Sequence, residues 1–173
     1  MSHTPAIRIR DLNEQPINPD GHYVLYWMIA NRRTRYNFSF DQAVSLAARL
    51  NKPLLVLEAL QCDYQWASDR LHRFVLQGMA DNRAALADTD VRYYAYVEPE
   101  RNHGSGLLQR LSQQACVIVT DDFPCFFIPA MLRLASRQVN VRMQAVDSNG
   151  LLPLRNGQGL CSGMTFVAFC KSI

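Results

Sequence analysis

Apolar residues in this chain fall into short unbroken runs separated by longer stretches where they recur every three or four positions. The clearest run is residues 23–31, with Tyr23, Val24, Leu25, Tyr26, Trp27, Met28, Ile29 and Ala30 in succession after the turn signal Asn18-Pro19-Asp20-Gly21. A near-continuous run rich in β-branched and aromatic residues is the pattern of a strand covered on both faces, as in the middle of a parallel sheet. The polar run from Asn31 to Asn37, with Arg32, Arg33 and Arg35, cannot continue such a strand and is the loop where the chain leaves the sheet. Ligands of open α/β sheets bind at the carboxyl ends of the strands. That loop is therefore the first place to look for function.

The rest of the chain alternates between the two periods. Phe40, Ala43, Val44, Leu46, Ala47 and Leu50 form one stripe of a helix capped by Asn37 or Ser39 and broken at Asn51-Lys52-Pro53. A second strand follows over residues 54–58. The next helix spans about residues 66–86, with Leu71, Phe74, Val75 and Met79 facing inward and Arg70, His72, Arg73 and Asp81 in solvent. Strands over 91–97, 116–120 and 141–146 alternate with helices over about 105–115 and 125–137, where Pro129 is tolerated only in a first turn. The expectation is an α/β, Rossmann-like fold: a doubly wound five-stranded parallel sheet in three layers, with right-handed crossovers. Residues 1–20, with Pro5, Pro16, Pro19 and the alternating piece 6–10, make an N-terminal arm or edge segment; residues 21–155 make the domain.

Composition narrows the class. The 173 residues suit one domain, 49% of them are hydrophobic, and a net charge of +3 is too small to imply nucleic acid by itself. Five cysteines include no CxxC pair, which fits reduced thiols, with Cys116 and Cys125 as small core residues. No signal pattern and no run of membrane-spanning length occurs, so a cytoplasmic protein without membrane contact is expected.

Several chemistries have no motif here. The loop after the first strand has no glycine-rich phosphate cradle, and neither GxSxG nor HExxH is present. His72 has no second His or Cys at i+3 or i+4 to make a metal site. Asp121 and Asp122 form an acid/base pair only if they converge, yet adjacent residues at a strand end point apart; helix capping at the Phe123-Pro124 turn is the preferred reading. Tyr93, Tyr94 and Tyr96 read as core and edge rather than as a stacking platform. The residues alone describe a binding scaffold with no visible catalytic set.

A family comparison rests on several motifs in order. Tyr26-Trp27-Met28, then Arg33, Asn37 and an alanine-rich helix, resembles the opening of class II DNA photolyases. The likeness continues through residues 53–56, 70–79 and 119–124 and ends at 146–153, where Val146-Asp147 precede Leu151, Leu152 and Pro153. It implies the N-terminal α/β domain of a cyclobutane-pyrimidine-dimer photolyase, in an antenna or scaffold role. In that family a larger helical domain holds FAD and the flipped-out lesion, so this chain alone is expected to be catalytically inactive. A folate or deazaflavin antenna is the implied ligand. Its cleft, carried over by position, involves Trp27, Met28, Asn31, Arg33, Asn37, Glu58, Asp121, Asp122, Phe123 and Pro124. Damaged DNA is a partner of a full-length relative only, and any contact by Arg8, Arg10 or Arg35 would be to phosphates. The alternative is a stand-alone nucleotide- or chromophore-binding module of the same fold.

Residues 156–173 change character. Read two nucleotides out of frame, the codons of residues 163–173 admit a Tyr/His-Asp-Phe-Arg-Arg-Phe-Leu-Gln-Lys-His string like that of class II relatives at this point. The expectation is an atypical tail produced by a frameshift; a genuine short protein with its own C-terminus is the alternative. Without the helical domain an apolar face is left uncovered, from which self-association, or coverage by Met164, Phe166, Val167 and Phe169, is expected.

Overall fold

The computed structural model describes residues 4–64 and 67–154. The tail over 156–173, with its expected frameshift origin and apolar residues, lies outside them.

Six strands form one sheet: β1 (Ile9–Asp11), β2 (Tyr23–Met28), β3 (Leu54–Leu60), β4 (Arg92–Val97), β5 (Ala115–Asp121) and β6 (Met143–Val146), in the order β1-β6-β5-β2-β3-β4. All pairs are parallel except β1 on β6. The five expected parallel strands are present, and the N-terminal piece adds a sixth, antiparallel, at the edge. β2 lies between β3 and β5, and all seven residues of β5 are buried. These two strands carry the continuous apolar runs because each has neighbours on both sides and helices on both faces.

Helices α1 (Phe38–Leu50), α2 (Asp69–Leu86), α3 (Leu107–Ser112) and α4 (Ile128–Gln138) are the crossovers. Val24, Tyr26, Met28 and Val56 pack with Ala43, Leu46 and Ala47 of α1 on one face. Leu25, Leu57, Ile118 and Met143 pack with Leu132 and Ala135 of α4 on the other. Each such fully buried side chain contributes about 1.5–3 kcal/mol. Asn37 caps α1 by accepting from the Ser39 and Phe40 amides, and Asn51 closes it in the left-handed region at φ 52°. Gly21 admits no side chain, since a Cβ there would lie 2.5 Å from the Cys116 amide nitrogen.

Several expectations are corrected. The N-terminal piece is the edge segment of the two readings, but Arg8 is buried and not free for phosphates: its guanidinium donates to the Asp147 and Leu151 carbonyls and lies 4.4 Å from the Phe38 ring. Phe74, placed in the buried stripe of α2, is 72% exposed, because α2 buries side chains only in its second half, at Met79, Asn82 and Leu86. His72 is half-buried near Tyr64 rather than fully in solvent. Cys116 is buried as expected, but Cys125 is exposed, because α4 begins three residues later than the pattern predicts. Most consequential, α3 has six residues where a helix over 105–115 is predicted.

Candidate functional site

Strand order reverses beside β2: the chain steps outward through β3 and β4, then returns to β5 on β2's other flank. The crevice above the carboxyl ends of β2 and β5 is thus the topological switch point, the usual ligand site of such sheets. Here the protein fills it. Oδ2 of the fully buried Asp121 accepts from three successive amides, Ile29 at 3.0 Å, Ala30 at 2.8 Å and Asn31 at 2.9 Å. Its Oδ1 accepts from the Tyr26 hydroxyl at 2.8 Å, which in turn accepts from Asn37 Nδ2 at 2.9 Å. Burial first, then the Asp121 charge, pushes the Tyr26 phenol well above its ordinary value, so it remains a neutral donor. Asp121 is therefore no helix cap. Asp122 points away to pair with Arg10 at 2.8 Å, so the two acids do not converge.

A second polar cluster sits under the loop. The fully buried Glu58 accepts from Arg32 at 3.1 Å, Asn82 at 2.9 Å and the Tyr93 hydroxyl. Burial and then this carboxylate hold the Tyr93 phenol above its ordinary range. Arg32 also donates to the Ile29 and Ala59 carbonyls, which fixes its guanidinium plane at the end of β3.

Beside the switch point, on the α3 and α4 face, opens a cavity of about 1050 Å³. Its origin is geometric. A six-residue helix is about 9 Å long, while a six-residue strand spans about 20 Å. α3 therefore leaves part of the sheet face, at Ala59 and Tyr96, only half-covered. Leu57, Ala59 and Tyr96 form the floor; Trp27, Leu108 and Met131 form the sides; Phe126, Phe127, Leu71 and Val75 stand at the rim. The size exceeds what one small ligand needs, and mainly apolar walls with few polar groups are typical of ligand sites.

The polar end is organised by Glu98, which is buried and accepts from the Cys62 and Gly104 amides at 3.1 Å each and from the Cys62 thiol at 3.4 Å. Burial pushes its pKa up, but the donors from Gly104, Cys62 and Asn102 outweigh that and leave it below the ordinary value. Burial, then Glu98, pushes the Cys62 thiol up, and the same pair of causes raises the Tyr96 phenol.

Of the ten residues carried over from the family resemblance, Trp27 lines the cavity. Met28, Asn31, Asn37, Glu58 and Asp121 are buried and do not line it; Met28 packs in the α1-side core, and most of the others belong to the two polar clusters. The Asn31 Nδ2 is buried with no partner among the described residues. Arg33 is exposed and donates to the Tyr36 carbonyl. Phe123 packs at the edge of the α4-side core, and Pro124 is exposed. The cavity residues of β3, β4 and α3 went unpredicted. Gly104 and Gly106 were the available signal, since Gly106 opens α3 at φ 76° and shortens it. Among the described residues no cluster fit for a metal ion occurs, and no helix is long and apolar enough to cross a membrane.

No family model matches the chain. Over 149 residues, 86% of its length, it is 30% identical to a deoxyribodipyrimidine photo-lyase of Methanothermobacter thermautotrophicus, of which it covers 33%. The chain thus spans about one third of the length of that curated relative. Among solved structures it is similar to a functionally unknown protein of Pseudomonas aeruginosa PAO1, with a TM-score of 0.54 and 14% identity, covering 80% of this chain and 51% of that one. It is likewise similar to a protein assigned to the universal stress proteins in Pseudomonas aeruginosa UCBPP-PA14, with a TM-score of 0.55, 13% identity and the same two coverages. At these identities the structural likeness shows the Rossmann-like fold alone.

Proposed function

We propose that this chain is the N-terminal α/β domain of a light-dependent DNA-repair photolyase of the deoxyribodipyrimidine type. Its role is to hold an antenna chromophore and to act as a scaffold. The observation that carries this is the 30% identity maintained over 86% of the chain. The cavity supports it: a flat folate or deazaflavin ring would lie between Trp27, Tyr96 and Met131, shielded by apolar walls that suit an absorbing ring system. Electron transfer to the lesion belongs to the FAD of the family's helical domain, so the part played by these residues is to hold and position a pigment. The exposed rim residues Phe127 and Leu134 are the part of the surface that supports self-association.

The nucleotide-binding alternative has only the fold in its favour, and the glycine-free loop after β2 speaks against it. Absorption spectra after incubation with folate or deazaflavin test the proposal. A red-shifted, retained chromophore is expected, with retention at least tenfold weaker in Ala59→Trp, which fills the floor. Retention of neither chromophore, or co-purification of ATP or AMP instead, overturns it.

A further inference from the structure

The polar network at the switch point has a consequence that holds whichever ligand fills the cavity. Three successive amides converging on one oxygen form an anion nest, the device by which many sheets of this kind grip phosphate. A helix N-terminus commonly supplies the other half of such a grip. Both halves are occupied from within. Asp121 Oδ2 takes the amides of Ile29, Ala30 and Asn31. Asn37 Oδ1 takes the Ser39 and Phe40 amides at the start of α1 and also accepts from the Ser148 hydroxyl at 3.3 Å. The two are joined through Tyr26, and none of Asp121, Tyr26 and Asn37 exposes more than 1% of its surface.

We infer that Asp121 is the specificity-determining residue of this domain: its carboxylate is a built-in occupant of the phosphate nest. It closes the switch point to nucleotide phosphates and leaves the apolar cavity as the ligand site. An incoming phosphate would have to displace a buried carboxylate covalently held at full occupancy, and would meet its negative charge while doing so.

The amide resonances of residues 29–31 read this directly. In the wild-type protein they stay unshifted through millimolar inorganic phosphate and ATP. Asp121→Ala empties the nest, and formate, which matches the carboxylate removed, shifts those three amides and raises the melting temperature of the variant but not of the wild type. Asp121→Asn, which keeps the volume, shows no formate response. Wild-type amides that move with phosphate or ATP overturn the inference, as does a folded Asp121→Ala indifferent to formate. Should Asp121→Ala not fold in either buffer, the wild-type titration decides alone. Chromophore retention is a separate readout, so failure of the antenna proposal and failure of this one are distinguishable.

Discussion

The switch-point crevice and the cavity lie toward opposite faces of the sheet, Tyr26 packing in the α1-side core and Trp27 against the α4-side core, and they differ in nearly every physical respect. The crevice is sealed: Asp121, Tyr26 and Asn37 satisfy one another and the local backbone, and none of the three exposes more than 1% of its surface. The cavity is open, mainly apolar, and exists because α3 is too short to cover β3 and β4. In this fold the place where ligands ordinarily bind is thus used for stability, and the place where a helix ordinarily packs is available for binding. Polar groups in the crevice are positioned by the protein's own bonds. Polar groups at the cavity, such as Glu98, hold a wall in place.

Removing one atom from the crevice gives the largest expected effect. Tyr26→Phe keeps the ring against Phe40 but leaves Asp121 Oδ1 and one Asn37 bond without a partner in the interior. Each buried unsatisfied group costs roughly 1–3 kcal/mol, so urea unfolding should show a loss of about 2–3 kcal/mol with an unchanged slope. A loss under about 0.5 kcal/mol would mean the crevice is not sealed as described.

At the cavity the expected effect is smaller and depends on pH. Because Glu98 has a lowered pKa in the folded state, its contribution is present above the ordinary value of 4.5 and disappears as pH falls through the folded value. Glu98→Gln should therefore flatten the acid side of the melting-temperature profile and loosen the wall at Gly104, read as faster amide exchange there and at Cys62. Parallel acid profiles for the two proteins would remove Glu98 from this role.

The smallest effect belongs to the neighbouring acid. Asp122 pairs with Arg10, whose side chain is 43% exposed, and exposed ion pairs contribute about 0–1 kcal/mol. Arg10→Ala should shift stability by about 0.5 kcal/mol or less, and added salt should erase the difference. An effect as large as that of Tyr26→Phe would break the contrast between two adjacent aspartates on which the crevice description depends.

Much of the frame was readable along the chain. Apolar runs mark β2, β3 and β5 because a strand covered on both faces is apolar at most positions, with Glu58 and Asp121 coming only toward the carboxyl ends. A cap at Asn37 or Ser39 and the Asn51-Lys52-Pro53 stop are local chemistry and were equally legible, the structure settling the cap on Asn37. Phe74 and Cys125 were misplaced for a shared reason. Periodicity says which residues share a stripe, but not which turns of a helix reach the core or whether it starts a turn later. The reading of Asp121 as a cap failed similarly, since its donors come from residues about 90 positions earlier in the chain.

The amino-acid sequence by itself determined the alternation of strands and helices, the parallel sheet and the loop at its carboxyl edge, because these follow from spacing and local propensity. Only the tertiary structure decided that Asp121 would fill that edge and that a six-residue α3 would leave a hollow beside it. Both depend on which distant backbone groups meet in space, and no periodicity along the chain encodes that meeting.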